Sequence, residues 1–192
     1  ESHAFAFGVT AYQASWLKYY YPLEFYVGLF NQQPMGFYNL ETLKEDAKRH
    51  GTKVLNPDIN LSSEKSVIEG EALRLGLLHV ATVGSVAAET IIGVRNEGGQ
   101  FGSIGEFMER TGALHETLDN LADAGAFDSL VEDRRRVRWE VGLRYRPINQ
   151  QLALPLPVAK DMVSLDDLTP WEIMEGEYRT MGLHPGGHVL AY

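Results

Sequence analysis

The sequence has no cysteine, which excludes disulfides and thiolate metal sites and fits a cytoplasmic protein. It has no apolar run approaching the length of a bilayer span and no signal-peptide pattern, so nothing points to a membrane. Cations are scarce: 17 Lys and Arg stand against 26 Asp and Glu, a formal net charge of −9. A free-standing nucleic-acid binder draws affinity from Lys and Arg that displace counterions. The acidic balance therefore argues against one and supports a helical protein-interaction domain. Low-complexity tracts are also absent. What is present is enough apolar sequence, in 192 residues that are 44% hydrophobic, for one large or two small domains. The chain begins at Glu1 without a Met and runs straight into an apolar helical segment, which reads as a piece of a longer protein.

Residues 4–21 read as a helix packed on more than one side, with Phe5, Val9, Tyr12, Trp16 and Tyr19 at three- and four-residue steps and Ser2 as its cap. Pro22 ends it and opens the next helix. A loop with Pro34 and Gly36 leads to a third, amphipathic helix stopped by Gly51. Lys53–Leu55 reads as extended, and residues 67–75 as a small hairpin turning near Gly70. Ser103 and Glu106 make a capping box, and Thr169-Pro170-Trp171-Glu172 is the clearest helix start in the chain. Residues 147–167, with Pro155 and Pro157, read as a linker or irregular strap.

The stretch from Leu75 to Val94 organises the rest. Val83-Gly84-Ser85 is a tight turn before a helix that Ser85 can cap, with Val86, Ala87, Ile91 and Val94 as the expected buried stripe. The turn's N–H groups and those of the first helical turn then face solvent together, a cluster suited to a phosphate without any charged side chain. This is the helix-hairpin-helix pattern, which grips the sugar-phosphate backbone without reading sequence. The same residues also make an ordinary corner in an all-helical core. A second corner at Ala124-Gly125-Ala126-Phe127 precedes a helix from Asp133 to Tyr145. Two such units would pack about a pseudo-two-fold axis. Arg134, Arg135, Arg136, Arg138, Arg144 and Arg146 crowd this last helix, as a solvated face or as a strip for phosphates.

Taken in order, several segments resemble the bacterial C-family DNA polymerases, the alpha subunit of DNA polymerase III. They are Glu1-Ser2-His3-Ala4, Tyr12-Gln13-Ala14-Ser15-Trp16-Leu17-Lys18, Tyr21-Pro22-Leu23-Glu24-Phe25 and Asn31-Gln32-Gln33-Pro34-Met35-Gly36-Phe37-Tyr38. Asp46-Ala47-Lys48-Arg49-His50-Gly51, Pro57-Asp58-Ile59-Asn60, Leu73-Arg74-Leu75-Gly76-Leu77 and Ala124-Gly125-Ala126-Phe127-Asp128-Ser129-Leu130 continue the match. The Gln-Pro-Met-Gly-Phe-Tyr loop and the Asp-Ala-Lys-Arg-His-Gly segment resemble the error-prone branch more than the replicative one.

The resemblance implies a mainly α fold in three parts: the end of a fingers domain over 1–65, a tandem helix-hairpin-helix domain with a small β-hairpin over 66–146, and a linker and C-terminal helix over 147–192. The last would lead toward an OB-fold and a clamp-binding tail. It implies a piece of a DNA-directed DNA polymerase acting in replication, repair and translesion synthesis. The catalytic aspartates and their Mg²⁺ belong to a palm upstream, so the piece alone is expected to be inactive, with no cofactor of its own. Implied partners are primer-template duplex, a dNTP, the sliding clamp and SOS-response proteins. A helix-hairpin-helix scaffold unrelated to polymerases and a replicative alpha subunit stand as alternatives.

Ser2 and His3 match the family's Ser-His pair beside the incoming triphosphate, or are a cap and a surface histidine. Val83, Gly84 and Ser85 match the first hairpin and Gly125 the second, where Asp123 disfavours an anion and packing is the better reading. Arg134, Arg135 and Arg138 are the candidates for contact by charge. Family members tend to carry Gly where this chain has Thr82, and a basic residue near Ala81. A β-branched Thr resists positive φ, so either the turn differs or the position takes negative φ, and the grip should be weaker. His184 and His188 are separated by Pro185-Gly186-Gly187, which forbids the helical geometry that would bring both to one metal. Glu172, Glu175 and Glu177 read as surface acids.

Overall fold

The computed structural model describes residues 2–145 and 165–191. Glu1, residues 146–164 and Tyr192 lie outside them, and with them most of the strap expected at 147–167. Helix α1 spans Ser2–Tyr20, with Ser2 already helical rather than capping it. Pro22 opens α2 (Pro22–Asn31). Asn39 caps α3 (Leu40–Arg49), its Oδ1 accepting from Thr42 N at 2.8 Å. Helices α4 (Ser85–Gly98), α5 (Ile104–Thr111) and α6 (His115–Asp123) follow. Ser103 accepts from Glu106 N at 3.1 Å, but the Glu106 carboxylate reaches Gly102 N at 2.9 Å, so the box closes one residue earlier than expected. Asp133 caps α7 (Arg134–Arg144) through Arg135 N and Arg136 N. Thr169 and Glu172 form the full reciprocal box of α8 (Pro170–Met181).

Three short strands, β1 (Lys53–Leu55), β2 (Val67–Glu69) and β3 (Ala72–Arg74), form a sheet of order β1-β3-β2. The β2–β3 hairpin turns at Gly70, which takes φ +60°, and Val67 lies opposite Arg74. Strand β1 joins parallel to β3, with Val54 opposite Leu73. Among the described residues the fold is thus eight α-helices and one small sheet that packs against α2 and α3, as expected for a mainly α chain. A continuous buried cluster runs from Tyr26 and Phe30 through Leu73, Phe107, Phe127 and Val141 to Leu183. Phe101, Phe107 and Phe127 meet edge to face at 4.9 and 5.1 Å near its centre.

Two expectations are corrected. No residue of α1 is buried: Phe5, Phe7, Tyr12 and Tyr19 are exposed, because among the described residues only its C-terminal end meets other elements. There Trp16 packs on Tyr21, and Lys18 pairs with Asp46 at 2.6 Å. In α4, Val86 is 79% exposed, and the buried positions are Ala88 and Ile91. At about 100° per residue Val86 lies on the far side of the helix from Ile91, so the two do not share a stripe.

His79 closes a 3₁₀ turn (Leu77–His79) beneath α2. Its ring lies edge-on to Phe30 at 6.0 Å, and Nε2 meets Ser66 Oγ at 2.9 Å. Burial strips the imidazolium of hydration and lowers the pKa to about 4 from 6.5. The folded chain then refuses a proton that the unfolded chain accepts below its own pKa. Stability should accordingly fall as pH drops from 6.5 toward 4, by up to about 3 kcal/mol. Urea unfolding across that range should give a sloping limb that His79→Gln flattens; a limb of the same slope in the variant contradicts the assignment.

Candidate nucleic-acid interface

The first corner, residues 80–84, joins the 3₁₀ turn to α4. Val83 is buried and its N–H bonds to Val80 O at 3.1 Å, which plants the corner in the core. Gly84, at φ −80° and ψ 175°, is the N-cap in place of Ser85, which stands inside the helix. No side chain caps it. The N–H groups of Gly84, Ser85 and Val86 have no hydrogen-bond partner among the described residues, and all three residues are exposed. A Cβ placed on Gly84 would meet nothing within 4 Å. Three bare donors at the positive end of a helix can hold one anionic oxygen group without a cation.

Thr82 takes φ +67°, which corrects the expectation of negative φ: the position is left-handed with a β-branched residue in it. Such a conformation costs about 1–2 kcal/mol. Its Oγ1 donates toward Thr117 Oγ1 at 3.4 Å and accepts from Asn120 Nδ2 at 3.1 Å. Asn120 also donates to Ala81 O, and Ala81 N donates to Thr180 O at 2.8 Å. Helices α6 and α8 therefore brace the corner from behind while its front stays open.

The second corner is built the other way round. Gly125 takes φ +79° but is buried, and its N–H bonds to Ala122 O at 3.1 Å. Ala126 N bonds to Leu121 O, Ala126 O accepts from Ile59 N at 3.0 Å, and Ala124 O accepts from Asn56 Nδ2 at 2.9 Å. Where a Cβ of Gly125 would project lies the Arg134 guanidinium. The geometry closes Gly125 to a phosphate and gives it the packing role.

Arg134 is turned inward, 8% exposed. It donates to Asp128 at 2.9 and 2.7 Å and to Asp123 O at 3.1 Å, and pairs with Glu177 at 2.8 Å. Burial alone would lower its pKa; Asp128 and Glu177 outweigh that and raise it, so the charge is retained inside. Glu177 is itself 2% exposed, which corrects its reading as a surface acid. Asn56 Nδ2 at 2.6 Å and His184 Nδ1 at 2.5 Å complete its shell. Arg135 is half-buried and paired with Glu172 at 2.9 Å, and Arg138 is exposed and lies 3.4 Å from Asp123. Arg136, outside the candidate set, is exposed and in no ion pair among the described residues. Ser2 and His3 are exposed at the start of α1, the His3 ring edge-on to Phe7 at 4.5 Å. The structure thus joins Val83, Gly84 and Ser85 in one open corner, sets Gly125 and Arg134 together inside the second, and leaves Ser2 and His3 apart from both. Sequence reasoning missed Thr117 and Asn120, both on α6, whose contacts with Thr82 join positions 35 and 38 residues apart.

With this geometry in hand, residues 51–137 match the family model described as the helix-hairpin-helix motif. The chain is similar along all of its length to the error-prone DNA polymerase of Anaeromyxobacter sp. (strain K), 36% identical, and to that of Dechloromonas aromatica (strain RCB), 34% identical. It covers 18% of each of those relatives. Over 73% of the chain it is 37% identical to the error-prone DNA polymerase of Symbiobacterium thermophilum, of which 15% is covered.

The two corners should respond oppositely to the same change. Gly84→Ala should leave stability within about 0.5 kcal/mol of the parent. Gly125→Ala, forced to positive φ against a paired guanidinium, should cost more than about 2 kcal/mol. Equilibrium urea unfolding measures both, and equal effects contradict the assigned geometry.

Proposed function

Because this chain is a homologue, along its whole length, of a segment of the error-prone DNA polymerases, we propose that it holds duplex DNA by the sugar-phosphate backbone within such an enzyme. The open corner supports this reading: the N–H groups of Gly84, Ser85 and Val86 have no partner among the described residues, and the space beside Gly84 is open. Contacts of this kind position a duplex without reading its bases. Val83 supplies the anchor, while Arg135, Arg136 and Arg138 on α7 add what charge the surface has. Gly125 and Arg134 serve the same site from inside, by fixing α7.

In the whole enzyme, residues 1–65 would end the fingers, residues 66–146 would form the hairpin domain behind the primer end, and residues 147–192 would lead on toward further domains. Ser2 and His3 would face the incoming nucleotide from the start of α1, completed by parts outside this chain. Lesion bypass, a dNTP substrate, a sliding clamp as partner and a cytoplasmic setting belong to the same proposal. Among the described residues no three His, Asp or Glu side chains group to hold a metal; the Mg²⁺ of nucleotidyl transfer would be held by a part of the enzyme outside this chain. No helix among them is long and apolar enough to cross a membrane.

Affinity for duplex should be sequence-independent and weakly salt-dependent for a DNA binder, since main-chain donors release few counterions. A log–log salt slope near −1 to −2 is expected, at about −0.9 per neutralised phosphate. Gly84→Val should lower affinity by about tenfold on every duplex alike, as loss of hydrogen bonds to a charged group implies. Fluorescence anisotropy with two duplexes of unrelated sequence tests it; unchanged affinity in the variant, or loss on one sequence only, overturns it.

A further inference from the structure

Beneath α2 an open cavity of about 610 Å³ lies between the loop at 32–39 and the segment that carries Lys65 and His79. Its two walls are tied together. Asn31 Nδ2 donates to Ser66 O at 2.9 Å and Asn31 Oδ1 accepts from Ser66 N at 2.8 Å. Buried Phe30 and the neutral His79 ring make the floor. Phe37 and Tyr38 stand on the rim with their rings exposed. Gln33 is held by its Oε1, which accepts from Met35 N at 3.2 Å, yet its Nε2 is shut off from solvent with no hydrogen-bond partner. Lys65, at the opposite wall, is exposed and in no ion pair among the described residues.

The tie between Asn31 and Ser66 and the buried Phe30 serve the fold; the rim does not. Two large aromatic faces are left in water, an amide donor is left unsatisfied, and a cation is left unpaired. The exposed rings and the unpaired ammonium match two faces of an unpaired nucleotide: a base that stacks on an aromatic ring and a phosphate that takes an ammonium. A paired base within a duplex presents neither its π-faces nor its pairing edge, so duplex cannot fill the site.

The position adds a constraint. His79 and Gly84 are five residues apart, which places the cavity floor within about 18 Å of the open corner. That is about five nucleotides of one strand at 3.4 Å each. We propose that the cavity binds one unpaired nucleotide of a strand running on from the duplex held at Gly84. This rests on the duplex-binding reading, and its occupant is a single-stranded extension rather than a free nucleotide.

The test compares, by anisotropy, a blunt duplex, the same duplex with a single-stranded extension at its 5′ or 3′ end, and the isolated single strand. The unaltered chain should prefer one extended duplex over the blunt one by about tenfold, the scale of one stacked base. Phe37→Ala with Tyr38→Ala should abolish that preference and leave blunt-duplex affinity unchanged, while Lys65→Gln should make its salt slope shallower. Gly84→Val should weaken both duplexes and keep their ratio. If blunt duplex is not bound but the single strand is, and the aromatic variant removes that binding, the cavity stands and the open-corner reading falls. A preference that survives the aromatic variant overturns the proposal. So does an equal loss on blunt and extended duplexes, or full competition by free dATP.

Discussion

A buried carboxylate holds this fold together. Glu177 is satisfied by three donors drawn from three distant parts of the chain: Asn56 after β1, Arg134 at the start of α7 and His184 after α8. A charge so far from water is tolerable only with such a shell, and removing one member leaves the others exposed to the full desolvation penalty. Lys44, wholly buried, repeats the device nearby, pairing with Glu41 and Glu45 and donating to Gly187 O at 2.5 Å. The two sites fasten the C-terminal stretch across both α3 and the hairpin region. With α8 fixed, Thr180 O is in place for Ala81 N, and the open corner gains its rear support.

That constraint explains why two corners of similar sequence differ. The second lies against Glu177, so its cation turns inward, its carbonyls are taken by Asn56 and Ile59, and Gly125 is needed for space as much as for φ. The first lies at the edge, where the chain can leave three N–H groups bare. Thr82 shows how firmly the first is held: a β-branched side chain is kept in the left-handed region because Thr117 and Asn120 fix its hydroxyl. Rigidity behind an unpaired backbone surface suits a device that must meet phosphates at a set distance. The low cation content fits the proposed role, in which the chain adds position rather than strength of its own.

Much of the fold is legible in the sequence because local chemistry decides it. Asn39, Ser103, Asp133 and Thr169 cap helices as their types require, Pro22 and Pro170 open them, and Gly70 turns the hairpin. The open corner is legible too, apart from the cap, which falls on Gly84 because its extended backbone needs no side chain. What escapes is long-range. An arginine run looks alike whether it faces solvent or a carboxylate brought in by another helix, so the sequence pattern puts both Arg134 and Glu177 on the wrong side of the surface. The aromatic periodicity of α1 implies burial, but among the described residues only its C-terminal end is covered.

The central claim is that one corner meets phosphate through its backbone while the other serves only the core. Amide chemical shifts of the isotope-labelled chain, followed as duplex DNA is added, test it most directly. The account predicts that the largest perturbations fall on Gly84, Ser85 and Val86, with Gly125 and Ala126 unmoved. Perturbations centred on Gly125 to Phe127, or none at Gly84 to Val86 when duplex is bound, would contradict it.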